Sequence, residues 1–368
     1  MNYKDLKLDC LYFKQEIPCT PHKEKGVSCV NCKVYTPIQK RILIIKLGAL
    51  GDVIRTTPIL KSLEEKYGTC HFTWLTLSPS IINNTSVHEV LAYTAENLVL
   101  LGMSSFDVLI NLDKEKEACL LSANICAKEK FGFFQDEYGI NGFNAAAKNK
   151  IVTGVNDDYS KSNTQSYLDE IFEICEIKFD YQEYEINFNS KLADKWRKNF
   201  KEITGGKKLV GLNTGCGPRW KTRLWPVAYW AELASQLEAQ GYFVVLLGGP
   251  QEHEQNQQIA QETGVHYPGH YSLEEFIALC NSIDIVVTQV SMMMHIATAL
   301  RKKMVLMNNI FNKHEFELYN RGIIVEPRSG CDCFYGVKCS RDISCMKDIK
   351  VRDVLHKLEE LDQTFVKS

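Results

Sequence analysis

The sequence predicts an α/β protein of two doubly wound parallel-sheet domains in tandem, with a cleft between them. Three observations carry that expectation. Short apolar runs bounded by glycine occur in both halves of the chain, and runs of that length read as buried parallel strands. In each half the first such run leads through a glycine-rich turn into a helical pattern, the start of a βαβ unit. At 368 residues the chain also exceeds what one hydrophobic core usually organises.

The first half opens with RILIIKLGALGDVIRTTPILKSLEEKYG, Arg41 to Gly68. Ile42, Leu43, Ile44, Ile45 and Leu47 make the strand, and Gly48 and Gly51 the tight turn. Val53, Ile59, Leu60 and Leu63 form the core-facing stripe of the next segment, which Gly68 stops. Sheets of this kind bind ligands at the carboxyl ends of their strands. Asp52 stands there, so it is the first candidate for chemistry. The bland alternative is that it complements a helix dipole.

Further strands are predicted over 71–77 and 106–112, with a short one inside VLAYTAENLVLL. KEACLLSANICAKEKFGFF reads as helical and then extended, whereas 139–162 is polar and irregular and is expected as a loop. SYLDEIFEICEIKF is an amphipathic helix, and 180–206 a linker between domains. The second half restarts with a strand over 208–213 and the turn TGCG, Thr214 to Gly217. A helix over 228–240, a strand over 242–247 and a Gly248-Gly249-Pro250 turn follow, then a polar helix over 251–263. Ser272 and Glu275 form a capping box for SLEEFIALC. Strands over 284–288 and 304–307 flank a helix over 291–300. The expected divisions are an arm over 1–36, a first domain over 37–200, a second over 201–345 and a terminal helix over 346–368.

Composition narrows the function classes. The chain is 45% hydrophobic and 24% charged with a formal net charge of −2, and no basic stripe interleaved with aromatics suggests a nucleic-acid partner. No apolar run reaches the roughly 18 residues of a membrane-spanning helix, so at most peripheral membrane association is expected. The start, MNYKDLKLDC, lacks the apolar core of a signal peptide and points to the cytoplasm. The turn Gly48-x2-Gly51 also lacks the spaced GxGxxG fingerprint of a nicotinamide dehydrogenase.

Of fourteen cysteines, Cys10, Cys19, Cys29 and Cys32 cluster near the start and Cys331, Cys333, Cys339 and Cys345 near the end. Clustered thiols in a reducing compartment favour metal binding over disulfides. Four soft ligands beside His22 in a loop-rich arm suit structural zinc or iron, or an iron–sulfur cluster. The alternative is a set of reduced structural thiols. The other six cysteines stand singly among apolar neighbours, as small core residues do.

Four motifs in this order resemble glycosyltransferase family 9, whose best-known members are the ADP-heptose:lipopolysaccharide heptosyltransferases. They are KLGALGDVIRTTPIL, NTGCGPRWKTRLWPVAYWAEL, LLGGPQEHE and SMMMHIATAL. The resemblance implies a GT-B fold, two Rossmann-like domains facing a cleft, and inverting transfer from a nucleotide-diphosphate sugar without a catalytic metal. It assigns Asp52 as the general base that takes the acceptor hydroxyl's proton. It puts Thr214, Gly215 and Arg223 at the donor diphosphate, Glu252 at a donor hydroxyl or ribose, and Tyr271 at the nucleobase. Ser291 and His295 fall on the helix that approaches the phosphates.

The chain departs from the family at one place. Heptosyltransferases usually carry Asp-Thr/Ser-Gly where this chain has Val290-Ser291-Met292, which removes a carboxylate from the donor-sugar position. ADP-heptose remains the favoured donor, and a lipopolysaccharide or surface-glycan hydroxyl the family's usual acceptor. A serine or threonine hydroxyl of a protein is the alternative acceptor, because a related iron-containing group with cysteine ligands modifies proteins. A metal-binding scaffold without transfer activity is the last alternative, motivated by Val290 and Met292.

Overall fold

In the computed structural model, which describes residues 1–83 and 85–364, the chain divides into two units, each built on one sheet. The first takes residues 1–48, 58–151 and 171–182; the second takes 49–57, 152–170 and the chain from Glu183 onward. This differs from the expected single boundary at residue 200. The interleaving has a packing cause: the helix Leu50–Thr56 lies against the helix Met292–Ala299, so it belongs with the later half of the chain.

The first unit holds β1 (Lys40–Ile45), β2 (Cys70–Thr76), β3 (Glu89–Ala92), β4 (Ser105–Asn111), β5 (Cys126–Gln135) and β6 (Ile140–Gly142). Their order across the sheet is β3-β2-β1-β4-β5-β6, parallel except for β6. Ile42 to Ile45 are fully buried, as are Phe72 and Trp74 on β2 and Val108 to Ile110 on β4. Burial on both faces of a parallel sheet is why these strands read as unbroken apolar runs. Residues 1–36 add two short helical turns, Tyr3–Asp5 and Thr20–Lys25, and bury Pro21 alone.

Two expectations are corrected here. Residues 139–162 are not a loop but contain β6 and the helices Ala145–Val155 and Asp157–Ser162. Their polar composition reflects exposure, while Asn156 caps the second helix by accepting from the amides of Asp158 and Tyr159. The supposed linker 180–206 carries the helix Ser190–Thr204, with Ala193, Trp196 and Phe200 on its buried stripe. Gly205 ends that helix in the left-handed region, at φ +61°.

The second unit holds β7 (Leu209–Asn213), β8 (Phe243–Leu247), β9 (Ile285–Gln289), β10 (Lys303–Met307) and β11 (Gly322–Val325), all parallel, in the order β11-β10-β9-β7-β8. Trp230, Leu233 and Leu237 pack on this sheet together with Val354, Leu358 and Leu361 of the C-terminal helix Val351–Thr364. The last four residues of the expected terminal helix, 365–368, lie outside the described residues. Strand order reverses between β7 and β9, so a crevice is expected at their carboxyl ends. Among the described residues, no helix is long and apolar enough to cross a membrane.

Candidate active site

A cavity of about 530 Å³ opens at that reversal point. Its wall is made by the turn after β7, the glycine turn after β8 and the start of the helix Met292–Ala299 after β9. A Cβ on Gly215 would lie 2.1 Å from Glu252 Oε1, so the Glu252 side chain occupies its present position because residue 215 is glycine. The Gly249 amide in turn donates to Glu252 Oε2 at 2.9 Å. Ser291 caps the third element, accepting from the Met293 amide at 3.2 Å. Asn213 Nδ2 ties the turn to β9, donating to the Gly215 carbonyl at 2.8 Å and Thr288 Oγ1 at 3.0 Å. Glycine turns beside a helix N-terminus suit an anion.

A second cluster surrounds Asp52, also within the second unit. Asp52 Oδ2 accepts from its own helix's Ala49 amide at 3.3 Å, and its Oδ1 lies 2.9 Å from Arg55 Nε. Arg55 is half-buried and its Nη1 donates to Glu315 Oε1 at 2.9 Å, with its guanidinium 3.6 Å over the Tyr167 ring. Burial by itself would lower the Arg55 pKa; Asp52 and Glu315 outweigh it, and the value is raised. His295 packs on Gly51, where a Cβ would come within 2.4 Å of the imidazole, and stacks on Tyr184. Burial, reinforced by Arg55, pushes His295 down to about 3, so its ring is neutral at neutral pH.

Of the residues singled out from sequence, Gly215, Glu252, Tyr271 and Ser291 line one cavity together. Three others stand elsewhere. Thr214 is fully buried and its hydroxyl donates to Asn256 Oδ1 at 2.6 Å. Arg223 spends its fork on carbonyls, Nη2 donating to Cys216 at 2.6 Å and Nη1 to Val290, so it clamps two loops. His295 sits one turn along its helix from the cavity, on the Asp52 side. Sequence reasoning missed Arg55 and Glu315. The i,i+3 spacing from Asp52 could have flagged Arg55, but nothing local marks Glu315.

The expected structural metal does not find a ligand shell. Among the described residues no group of three His, Cys, Asp or Glu side chains is arranged to hold a metal ion. Cys10, Cys19, Cys29 and Cys32 border one cavity in the first unit with His22, and all four are free thiols. At the other end the Cys333 amide donates to Cys331 Sγ at 3.4 Å, and Cys345 Sγ accepts from Asn309. Burial, with Cys345 nearby, pushes the Cys331 thiol up to about 12. Cys339 is half-exposed.

The model of glycosyltransferase family 9 (heptosyltransferase) matches residues 100–323, more than half of the chain. The chain belongs to glycosyltransferase family 9. This family 9 protein is 32% identical over 112 residues to lipopolysaccharide heptosyltransferase 2 of Salmonella typhimurium, a stretch covering 28% of this chain and 31% of that one. The chain thus spans about a third of the length of that curated relative. In fold it is similar to the family 9 glycosyltransferase of Veillonella parvula, with a TM-score of 0.68 at 18% identity over 89% of this chain and 98% of that one. It is also similar to E. coli ADP-heptose lipopolysaccharide heptosyltransferase II, with a TM-score of 0.64 at 16% identity over 88% and 99%. These likenesses bear out the two-sheet α/β fold class.

Proposed function

We propose that this family 9 protein transfers a glycosyl group, with inversion, from a nucleotide-diphosphate sugar to a hydroxyl of a lipopolysaccharide or surface glycan. ADP-heptose is the favoured donor, supported by the E. coli relative named for it. The observation that carries the reading is the helix Met292–Ala299. Its N-terminus walls the cavity, and one turn later His295 packs on Gly51 beside Asp52. One short helix therefore ties a carboxylate to the place where a diphosphate would lie.

The chemistry needs one base and one anion site. Asp52 takes the acceptor hydroxyl's proton as its oxygen bonds the anomeric carbon; the bond from that carbon to the diphosphate oxygen breaks, its electron pair leaving with the nucleotide. Backbone amides at the Ser291-capped helix and in the two glycine turns meet the leaving group's charge. With Val290-Ser291-Met292 in place of the family's acidic motif, recognition of a donor hydroxyl falls to Glu252, the carboxylate on the cavity wall.

ADP or ADP-heptose is expected to raise the unfolding midpoint of the purified protein by mass action. Asp52→Asn should keep that shift and lose transfer by about 10²- to 10⁴-fold, the usual worth of a general base. No shift with adenosine, uridine or guanosine diphosphate sugars would overturn the donor reading. Undiminished transfer by Asp52→Asn would overturn the base.

A further inference from the structure

Asp52 does not stand alone with its arginine. Arg55 is shared between two carboxylates, Asp52 and Glu315, each 2.9 Å from a guanidinium nitrogen. The far carboxylate is fixed from behind, because the Tyr335 hydroxyl donates to Glu315 Oε2 at 2.6 Å. Its short helical turn, Lys313–Glu315, is capped by Asn312, whose Nδ2 donates to the carbonyls of Ser160 and Asn163 at 2.7 and 2.6 Å. Tyr167 stacks under the guanidinium, with its hydroxyl 3.2 Å from Thr56 on the Asp52 helix. Exposure is lowest in the middle of the row: the side chains are 13% exposed at Arg55, against 18% at Glu315 and 31% at Asp52. The open end is Asp52.

We propose that Arg55 and Glu315 are positioning residues that set the orientation and the protonation of Asp52 during transfer. The argument is one of charge, and it rests on Asp52 being the base. At rest, two carboxylates share one guanidinium, so the row carries a net charge of −1. Arg55 keeps Asp52 ionised and aimed, while Glu315 takes part of the guanidinium's field, so Asp52 still has appetite for a proton. When Asp52 accepts the acceptor's proton and becomes neutral, Arg55 remains paired with Glu315. The guanidinium is therefore not left without a partner, which would otherwise oppose the step. The other groups facing the row do not change charge with it. His295 is neutral, and burial raises the pKa of Tyr184 and of Tyr335. Tyr167 faces Arg55 directly and Glu317 lies near Tyr184.

The test uses two substitutions with opposite expected signs. Arg55→Met removes the positive neighbour, so Asp52 should protonate at higher pH and the acid limb of kcat/KM should move up by about one unit or more. Glu315→Gln leaves Arg55 wholly to Asp52, so the limb should move down, with kcat lower by about tenfold as the base weakens. Arg55→Lys should restore part of the wild-type profile. The Asp52 carboxyl carbon, assigned by its loss in Asp52→Asn, is titrated by NMR in the same full-length proteins without substrate. Displacements of opposite sign in that titration support the proposal. An Asp52 titration unmoved by either change overturns it, whatever the activity. Should Arg55→Met fail to fold, an unmoved titration in Glu315→Gln suffices to overturn it. Failure of the base assignment on which this rests shows separately, as full transfer by Asp52→Asn.

Discussion

The two sheets each have one point where strand order reverses, and the chain treats them differently. In the first unit the reversal lies between β1 and β4, and it is sealed. Lys46 and Asp113 pair there at 3.6 Å with side chains 8% and 6% exposed, and Asp113 also accepts from the Leu47 amide at 2.8 Å. In the second unit the reversal between β7 and β9 is open, bordered by glycine turns and a capped helix around a cavity of about 530 Å³. The same topology therefore gives one plugged crevice and one preformed pocket. What differs between them is side-chain identity: a buried charged pair occupies the first, and glycine turns border the second.

The largest expected effect tests the plug. Lys46→Met leaves a buried carboxylate without its cation and should cost about 3–5 kcal/mol in denaturant unfolding, with ADP affinity unchanged. A loss below about 1 kcal/mol would mean that the backbone amides alone satisfy Asp113, and the contrast would collapse. Next comes the pocket. Gly215→Ala forces Glu252 aside, and a displacement of about 1–3 kcal/mol should weaken ADP binding by about 10- to 100-fold in calorimetry. Unchanged affinity would show that the cavity's width does not depend on the two turns touching.

The smallest effect concerns the wall between pocket and Asp52. His295 titrates near 3 when folded against an ordinary 6.5, so below 6.5 the unfolded chain binds a proton that the folded chain refuses. Its contribution is full above 6.5 and declines as pH falls toward 3. By linkage the wild type should lose up to about 2 kcal/mol more than His295→Gln between pH 6.5 and 5 in denaturant titrations. Equal slopes would place the imidazole in contact with water.

Much of this molecule is written locally. Ile42 to Ile45, Leu109 and Ile110, and the run at β8 declare buried parallel strands because each strand is covered on both faces, and that pattern needs no knowledge of partners. Gly215 and Gly248-Gly249 mark the turns that border the cavity for the same reason: a missing Cβ is visible in the letters. The capped helix at Ser272 was equally legible, its side chain accepting from the Glu275 amide. Helices at 145–162 and 190–204 escaped notice because exposed faces made them look irregular, and only the buried stripe of Trp196 and Phe200 reveals the second.

The sequence by itself therefore determined the two sheets, the position of Asp52 after the first strand and the glycine-lined turns. Tertiary structure decided what those residues do. Arg223, expected at the donor diphosphate, is consumed by three carbonyls; His295 turns to Gly51 instead of the cavity; Glu315 meets Arg55 from 260 residues away. The physical reason is the range of the forces. Strand and turn preferences arise from neighbours along the chain, whereas the partner of a buried charge is whatever the fold brings within about 4 Å of it.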